Sequence, residues 1–133
     1  MNKKLIFITM LIVSLALCFF SCELPQLSIT VTDIPATYNG KYGYIGLTNN
    51  ATESSKLKQV ALSLPVTISG GQITCDLLDR NTAPFTETGT YHCVFMITTD
   101  SSGTNSIWSG AKLNLKLADP NTTIKFTQLT VVN

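Results

Sequence analysis

The amino-acid sequence predicts an all-β fold. Within that class it predicts an antiparallel β-sandwich of about seven or eight short strands, immunoglobulin-like, with a small β-barrel as the alternative. Apolar and polar residues alternate along most of the chain after residue 26, which is the period of a half-buried strand. Turn-forming residues recur at intervals of roughly 8 to 12 residues. No segment after residue 21 repeats its apolar positions with the period of a helix.

The first two strands are predicted around an Asn-Gly turn. Apolar and polar residues alternate over 27–31, and Asp33-Ile34-Pro35 ends that strand. Asn39-Gly40 is a strong turn signal because both residues tolerate a positive φ. After the turn, Tyr42 and Tyr44 fall on one face of the next strand, opposite the apolar residues that follow them.

The middle of the chain predicts a strand, a hairpin and a loop. Val60, Leu62 and Leu64 share one face before Pro65, which removes a donor and ends or bulges the strand. Gly70-Gly71 predicts a tight turn into a strand over 73–77. The segment 79–89 is the next predicted loop.

The last third of the chain predicts three strands. The first covers 91–97 and is followed by a polar turn over 98–106. The second has the clearest alternation, in which one set of residues is predicted to be buried and the other wet: Ala111, Leu113, Leu115 and Leu117 against Lys112, Asn114 and Lys116. In the third strand the apolar phase slips after Phe126, which predicts a bulge near Thr127 or Gln128, or a strand that changes partner.

The first 21 residues predict an export signal. Lys3 and Lys4 form a charged start, and residues 5–20 are almost wholly apolar. This apolar segment is a little shorter than the roughly 20 residues that a membrane-spanning helix needs, and no basic cluster follows it. We therefore expect residues 1–21 to be removed and leave them out of the fold.

The residues around Cys22 resemble a bacterial lipoprotein signal, in which a diacylglycerol is attached to a cysteine and the chain is cut before it. Ser21 suits the small position before the cysteine, whereas Phe19 and Phe20 give a relaxed form that resembles spirochaetal lipoproteins. The resemblance implies lipidation at Cys22 with chains such as palmitate, and Cys18 is the competing site. The alternative is an ordinary secretory signal. Two or more acyl chains hold a protein firmly to a bilayer.

Removing 21 of the 133 residues leaves 112, the length of one domain. We divide the chain into a signal over 1–21, a tether over 22–26 and a single β-sandwich domain over 27–133. Loss of Lys3 and Lys4 lowers the basic count from nine to seven, against eight acidic side chains, so the formal charge becomes −1. This balance argues against nucleic acid as a partner.

Three further stretches carry a second resemblance. Residues 29–47, ITVTDIPATYNGKYGYIGL, resemble the opening of small treponemal lipoprotein domains, and Gly89-Thr90-Tyr91 and Trp108-Ser109-Gly110-Ala111 resemble their later strands. The resemblance covers about a third of the exported chain. It implies an envelope β domain of unknown role, held at the periplasmic or surface side of a bacterial membrane, and it supplies no catalytic residues.

Cys75 and Cys93 remain as a pair, both in the apolar phase of their strands. A disulfide between them is possible in an exported protein and would stabilise by about 3 kcal/mol in the chain-entropy model. The alternative is two buried thiols that behave as small apolar side chains. A metal site is not expected, because the chain has one histidine and no close cysteine pair.

No catalytic constellation is recognisable, so we predict that the chain is not an enzyme and needs no cofactor. The only histidine, His92, is expected to face solvent, on the opposite face from Cys93. Most carboxylates fall in or beside turns, where Asp bonds the local backbone: Asp33, Glu53, Asp76, Asp79, Glu87, Asp100 and Asp119. A calcium site at Asp76 and Asp79 is a minor possibility.

The remaining candidates for binding are aromatic. Tyr38, Tyr42, Tyr44 and Trp108 could form a platform for a protein or a glycan, although rings packed at the rim of a sandwich are the commoner outcome. The leading hypothesis is a membrane-tethered, non-catalytic envelope protein with a binding or structural role. The alternative is an exported carbohydrate-binding or protease-inhibitor-like module that uses the loop 79–89, with Pro84 and Phe85 at its centre.

Overall fold

The computed structural model describes residues 24–49 and 59–132. The predictions for the signal, for Cys18 and Cys22 and for Glu53 lie outside these residues. Nine strands and two short 3-10 turns, at Ala36–Tyr38 and Phe126–Gln128, are present in the described part. The strands are β1 Ser28–Thr32, β2 Tyr42–Thr48, β3 Gln59–Ser63, β4 Val66–Thr67, β5 Ile73–Leu78, β6 Gly89–Thr98, β7 Ser106–Leu117, β8 Asn121–Lys125 and β9 Thr130–Val131.

All nine strands belong to one mixed sheet, curled into a half-barrel. Its order is β8-β1-β5-β3-β2-β6-β7-β9, with β4 also paired to β2. All pairs are antiparallel except β1 with β8, which are parallel. The prediction of an all-β fold is confirmed. The immunoglobulin-like sandwich is not confirmed, because a single hydrogen-bonded path joins every strand.

The curl follows from the connection between the two edge strands. In a flat sheet β8 and β9 would lie seven strand spacings apart, or about 34 Å. Only four residues join Lys125 to Thr130, and five steps of extended chain span at most about 18 Å. The two edges must therefore approach each other.

The final segment confirms the predicted change of partner. Residues 121–125 pair with β1, and after the 3-10 turn at Phe126–Gln128 residues 130–131 pair with β7. The amide of Lys125 donates to Gln128 Oε1 over 3.0 Å, which fixes the turn. The alternation of apolar residues changes phase here because one segment pairs first with β1 and then with β7.

The concave side of the sheet encloses the core. Its largest fully buried apolar side chains come from strands all along the path and from residues beside them: Leu27, Ile29, Val31, Ile45, Leu47, Ile68, Leu77, Phe95, Ile97, Leu117 and Ile124. The predicted split of β2 is correct, since Ile45 and Leu47 are buried and Tyr42 and Tyr44 lie on the outer face.

Three apolar side chains in and just after β3 share one face, as predicted: Val60, Leu62 and Leu64. This is the outer face of the sheet, and Leu64 is 66% exposed. Ser63 points inward instead, where its hydroxyl accepts the Ile45 amide over 2.8 Å. That bond replaces the backbone partner missing near Pro65, so a polar residue sets the phase of this strand.

The predicted burial of β7 is correct only for its second half. Leu115 and Leu117 are buried, but Leu113 is 54% exposed and Lys112 lies opposite the inward-facing Cys93. The pairing shifts between Tyr91 and Cys93, so β7 carries an extra residue there. Asn114 takes up this bulge with φ of 53°, which a side chain of its type tolerates.

Candidate functional site

Four aromatic rings form a continuous row at one end of the half-barrel. We call Tyr38, Phe95, Trp108 and Phe126 the aromatic cluster. The Trp108 and Phe126 ring centroids lie 4.4 Å apart, with Tyr38 6.1 Å from Phe126 on one side and Phe95 6.1 Å from Trp108 on the other. Phe95 is fully buried and forms the base, whereas the other three rings are half-buried.

The rings come from four separate elements. The first 3-10 turn supplies Tyr38, β6 supplies Phe95, β7 supplies Trp108 and the second 3-10 turn supplies Phe126. Trp108 faces inward because it pairs with Ile97, whose side chain is buried. The indole then lies over Gly110, where an added Cβ would meet Trp108 Cζ3 at 2.9 Å and Leu129 Cβ at 3.1 Å. The absence of a side chain at Gly110 leaves the space that the indole ring occupies.

The cluster lies at the end of the half-barrel opposite the point where the chain enters β1. At the entry end, Leu27 donates its amide to Phe85 O and Ser28 to Pro120 O, each over 2.8 Å. Strands β1 and β8 run in parallel away from this end and finish together at Thr32 and Lys125. Phe126 follows directly, so the far end carries the cluster.

The four predicted aromatic residues divide into two groups. Tyr38 and Trp108 come together through Phe126, while Tyr42 and Tyr44 lie on the outer face of β2. The Tyr44 hydroxyl lies 3.3 Å from Met96 Sδ and donates to Gly103 O over 3.4 Å. Burial raises the pKa of Tyr44, and the charge of Asp100 adds to this effect. Tyr44 therefore serves to pack the β6–β7 loop.

The sequence prediction of an aromatic platform missed two members of the cluster, Phe95 and Phe126. Phe95 is predicted only within the strand over 91–97, and Phe126 only as an apolar residue in the last strand. The signal that could have found it is the phase slip that follows it, because a residue at a change of partner leaves the regular alternation. Three apolar side chains on β7, on β9 and just after β9 are exposed: Ile107 at 47%, Val131 at 58% and Val132 at 41%.

The candidate catalytic groups have local structural partners. His92 Nδ1 accepts the amide of Asn114 over 3.2 Å, so the imidazole holds the β7 bulge. Asp79 accepts the amides of Asn81 and Ala83, which shapes the loop after β5. Asp76 is exposed on β5. Residues 24–49 and 59–132 contain no group of three histidine, cysteine or acidic side chains that could hold a metal ion.

Asp100 organises the loop between β6 and β7. Its carboxylate accepts the amides of Thr104 and Asn105 and the hydroxyls of Ser102 and Thr104, at 2.8 to 3.1 Å. The bond from the Thr104 amide is the largest cause that lowers the pKa of Asp100 to about 2, followed by the Ser102 hydroxyl. The carboxylate therefore has a structural task.

Cys75 and Cys93 are free thiols in this structure, and both are completely buried. Burial raises the pKa of Cys75 to about 11 and that of Cys93 to about 12. Thiols in this state are protonated at neutral pH and are poor nucleophiles. The disulfide between them stays a prediction.

Two shallow grooves flank Arg80 at the entry end. One, of about 240 Å³, runs along the outer face of β3 past Leu62, Leu64 and Leu78, and the other, of about 280 Å³, lies between Val60 and the loop 79–87. The Arg80 side chain separates them and donates to Gln59 O over 3.1 Å. Phe85 in this loop is buried, 4% exposed, with its ring centroid 5.8 Å from that of Tyr91.

No protein-family model, no curated protein and no solved structure matches this chain. The resemblance to treponemal envelope lipoproteins therefore remains an expectation from the sequence. Across the residues that the structure describes, no helix has the length and apolar character needed to cross a membrane.

Proposed function

We propose that this chain is a lipid-anchored, non-catalytic envelope protein that binds a partner protein through its aromatic cluster. The observation that carries the proposal is the position of the cluster at the end opposite the entry of the chain. A lipid on Cys22 would tether the entry end through residues 22–26. The three half-buried rings would then face away from the bilayer, where a partner can reach them.

The surroundings of the cluster favour a protein over a glycan. Ile107 precedes Trp108 on β7, Val131 pairs with Gly110 of that strand, and Val132 follows Val131; all three are exposed apolar side chains. Aromatic and aliphatic side chains together are typical of the centre of a protein interface. A sugar site would need polar groups around the rings to bond the hydroxyls of the ligand.

The structural tasks of the candidate catalytic groups support a role without catalysis. His92 supports a bulge, Asp79 and Asp100 organise loops, and the thiols of Cys75 and Cys93 are buried. An activated nucleophile needs a free base within hydrogen-bond reach. The hydroxyls of Ser102 and Thr104 lie within that reach of Asp100, but the hydrogen bonds to this carboxylate lower its pKa to about 2, which makes it a weak base.

The protease-inhibitor alternative has less support. An inhibitory loop presents its side chains to the partner, whereas Phe85 is buried against Tyr91. The loop is also joined to β1 and β5 by the bonds of Leu27 to Phe85 O and of Phe85 to Leu77 O. Only Pro84 among the two central residues is exposed.

We also propose that two parts of the curled sheet face each other like the layers of a sandwich. Ile73 on β5 reaches the concave surface near Gly43 on β2, where an added Cβ would meet Ile73 Cδ1 at 2.8 Å. The β8-β1-β5 part and the β2-β6-β7 part would thus share one core as two facing layers do.

The anchor is tested by the intact mass of the protein extracted from membranes, beside a Cys22→Ala variant. The expected mass is that of residues 22–133 plus acyl chains, and the variant should lose both the chains and membrane attachment. An unmodified mass that starts at another residue would remove the anchor from the proposal. Repeating the measurement with a reductant and an alkylating agent also reports whether Cys75 and Cys93 are bonded.

The binding surface is tested by cross-linking in intact cells. A photoreactive phenylalanine analogue is placed at position 126 or 38, with position 42 on the outer face as the control. We expect one discrete protein adduct from 126 and 38 and none from 42. Equal adducts from all three positions, or none from any, would contradict the proposed surface, and a polysaccharide adduct would favour the carbohydrate-binding alternative.

A further inference from the structure

One edge of β7 is not paired with β8, the next strand in the chain, which would normally be its partner. Strands β7 and β8 are consecutive and joined by residues 118–120 only, a length typical of a hairpin. Strand β8 instead pairs in parallel with β1. Just before β8, Pro120 O accepts a hydrogen bond from the Ser28 amide. Within the described residues, positions 112–117 of β7 therefore pair with β6 alone. We call this unpaired side the open edge.

Strand β8 follows β7 in the chain without pairing with it, and we call the gap between the open edge and β8 the slit. Residues 118–120 close the slit at the entry end, and the pairing of β9 with Gly110 and Ala111 closes it at the far end. Side chains on both sides of the slit reach solvent, since Leu113 is 54% exposed and Lys116, Thr123 and Lys125 are exposed. Six residues of strand give the edge a length of about 20 Å.

The charges along the slit are mostly positive. Lys112 and Lys116 belong to the open edge, and Lys125 stands on the β8 side. Lysines and a bulge such as that at Asn114 hinder a sheet edge from pairing with the same edge of a second molecule. In a pair of identical edges the lysines of two copies would be close to each other, which is unfavourable. The same charges attract a strand with carboxylates.

We propose that the open edge binds an acidic, extended segment of a partner protein, which adds to the sheet as a strand beside β7. Main-chain groups of residues 112–117 supply the pairing, except the Asn114 amide, which donates to His92 Nδ1. Lys116 and Lys125 select carboxylates at alternate positions of the segment. Alternate residues of a strand point to opposite faces, so a segment with glutamate at every second position meets this requirement. This site is independent of the anchor and of the aromatic cluster.

The test uses the full chain in detergent and a short blocked peptide in which glutamate alternates with threonine. Hydrogen exchange of the backbone amides over 112–117 is measured by mass spectrometry. We expect the peptide to slow this exchange about tenfold, because bonded amides exchange only on opening. Absence of protection at peptide concentrations up to millimolar would overturn the proposal.

Charge specificity is tested with a Lys116→Glu, Lys125→Glu double variant and with Lys41→Glu as the control. Lys41 follows the Asn39-Gly40 turn and lies outside the slit. The double variant should weaken peptide binding about tenfold or more, and the control should stay within about twofold. Equal loss in both variants would mean general charge attraction and would overturn the site.

Strand pairing is tested with the same peptide N-methylated at alternate residues, which keeps the charge and removes the amide donors. The methylated peptide should fail to protect residues 112–117. Equal binding of both peptides would overturn the pairing. Protection that rises with protein concentration in the absence of peptide would assign the edge to a second copy of the chain and would also overturn the proposal.

Discussion

At the scale of single residues, glycines inside the strands mark where side chains of other strands need space. An added Cβ at Gly110 would meet the indole of Trp108 and the Cβ of Leu129. At Gly46 it would meet only the end of the flexible Gln59 side chain, whose Nε2 lies 2.9 Å away. Both glycines lie in strands. A methyl group at Gly110 would displace a packed ring and a Cβ, whereas at Gly46 it would displace only the end of a flexible side chain.

Gly110→Ala should destabilise the fold by about 1–3 kcal/mol, the usual cost of overpacking. It should also shift the fluorescence of Trp108, the only tryptophan of the chain. Urea unfolding and emission spectra measure both effects. Gly46→Ala is the matched control and should cost less than about 1 kcal/mol. Equal losses in the two variants would mean that the indole does not depend on the glycine.

The loop between β6 and β7 depends on a single carboxylate, which makes its stability depend on pH. The pKa of Asp100 is lowered to about 2 from its ordinary value of 3.8, first by the Thr104 amide and then by the Ser102 hydroxyl. A lowered folded-state pKa stabilises the fold above the ordinary pKa, and this contribution is lost as the pH falls through the folded value.

Asp100→Asn should therefore be less stable than the wild type at pH 7, and the difference should shrink between about pH 4 and pH 2. Thermal unfolding across this range measures it. A difference that persists unchanged at pH 2 would show that the charge of the carboxylate is not the cause.

At the scale of elements, two irregular points position the strands around the cluster. The bulge at Asn114 turns Lys112 and Trp108 to the inner face, and His92 supports it by accepting the Asn114 amide. The 3-10 turn at Phe126–Gln128 moves the last segment from β1 to β7, and Gln128 supports it from the Lys125 amide. Each point depends on one side-chain acceptor.

His92→Ala should cost about 0.5–1.5 kcal/mol, because the Asn114 amide loses its acceptor. Hydrogen exchange of that amide should become faster, which two-dimensional NMR can follow. Thr90→Ala, an exposed neighbour on the same face of β6, is the control and should leave the exchange unchanged. An unchanged exchange rate of the Asn114 amide in His92→Ala would mean that the histidine does not support the bulge.

Gln128→Ala should cost a similar amount, about 0.5–1.5 kcal/mol, and should loosen β9 more than β8. Hydrogen exchange over 130–132 measures the effect. Thr127→Ala, exposed and beside it, serves as the control. Faster exchange in β8 alone would contradict the assigned role of the turn.

At the scale of the whole molecule, the core contains two thiols that only unfolding should expose. Burial raises the pKa of Cys75 to about 11 and that of Cys93 to about 12, so neither should react while the fold is intact. Alkylation across a urea titration should modify both in one step at the unfolding midpoint. Reaction of either thiol before that midpoint would reveal a local opening, and no reaction of the unfolded chain without reductant would reveal the disulfide.

Local chemistry explains which parts of the fold the sequence could predict. Gly70-Gly71, with φ of 61° and 73°, forms the predicted turn, and the alternation of β1 and β6 is confirmed. The inward turn of Ser63 depends on the distant Ile45 amide, and the exposure of Leu113 depends on a bulge held by His92. The aromatic cluster was predicted only in part, because Phe95 and Phe126 join Tyr38 and Trp108 through pairing between distant strands.

The parallel pairing of β1 with β8 has a consequence for how the chain folds. Ser28 pairs with Asn121 and Thr32 with Lys125, so residues near the two ends of the described chain must meet. Contacts between residues so far apart in sequence slow folding, because a long loop must close before they form. During synthesis the first strand must wait for nearly the last one. Until then β1 can pair only with β5, and a chaperone that recognises unpaired strands has its longest opportunity on this segment.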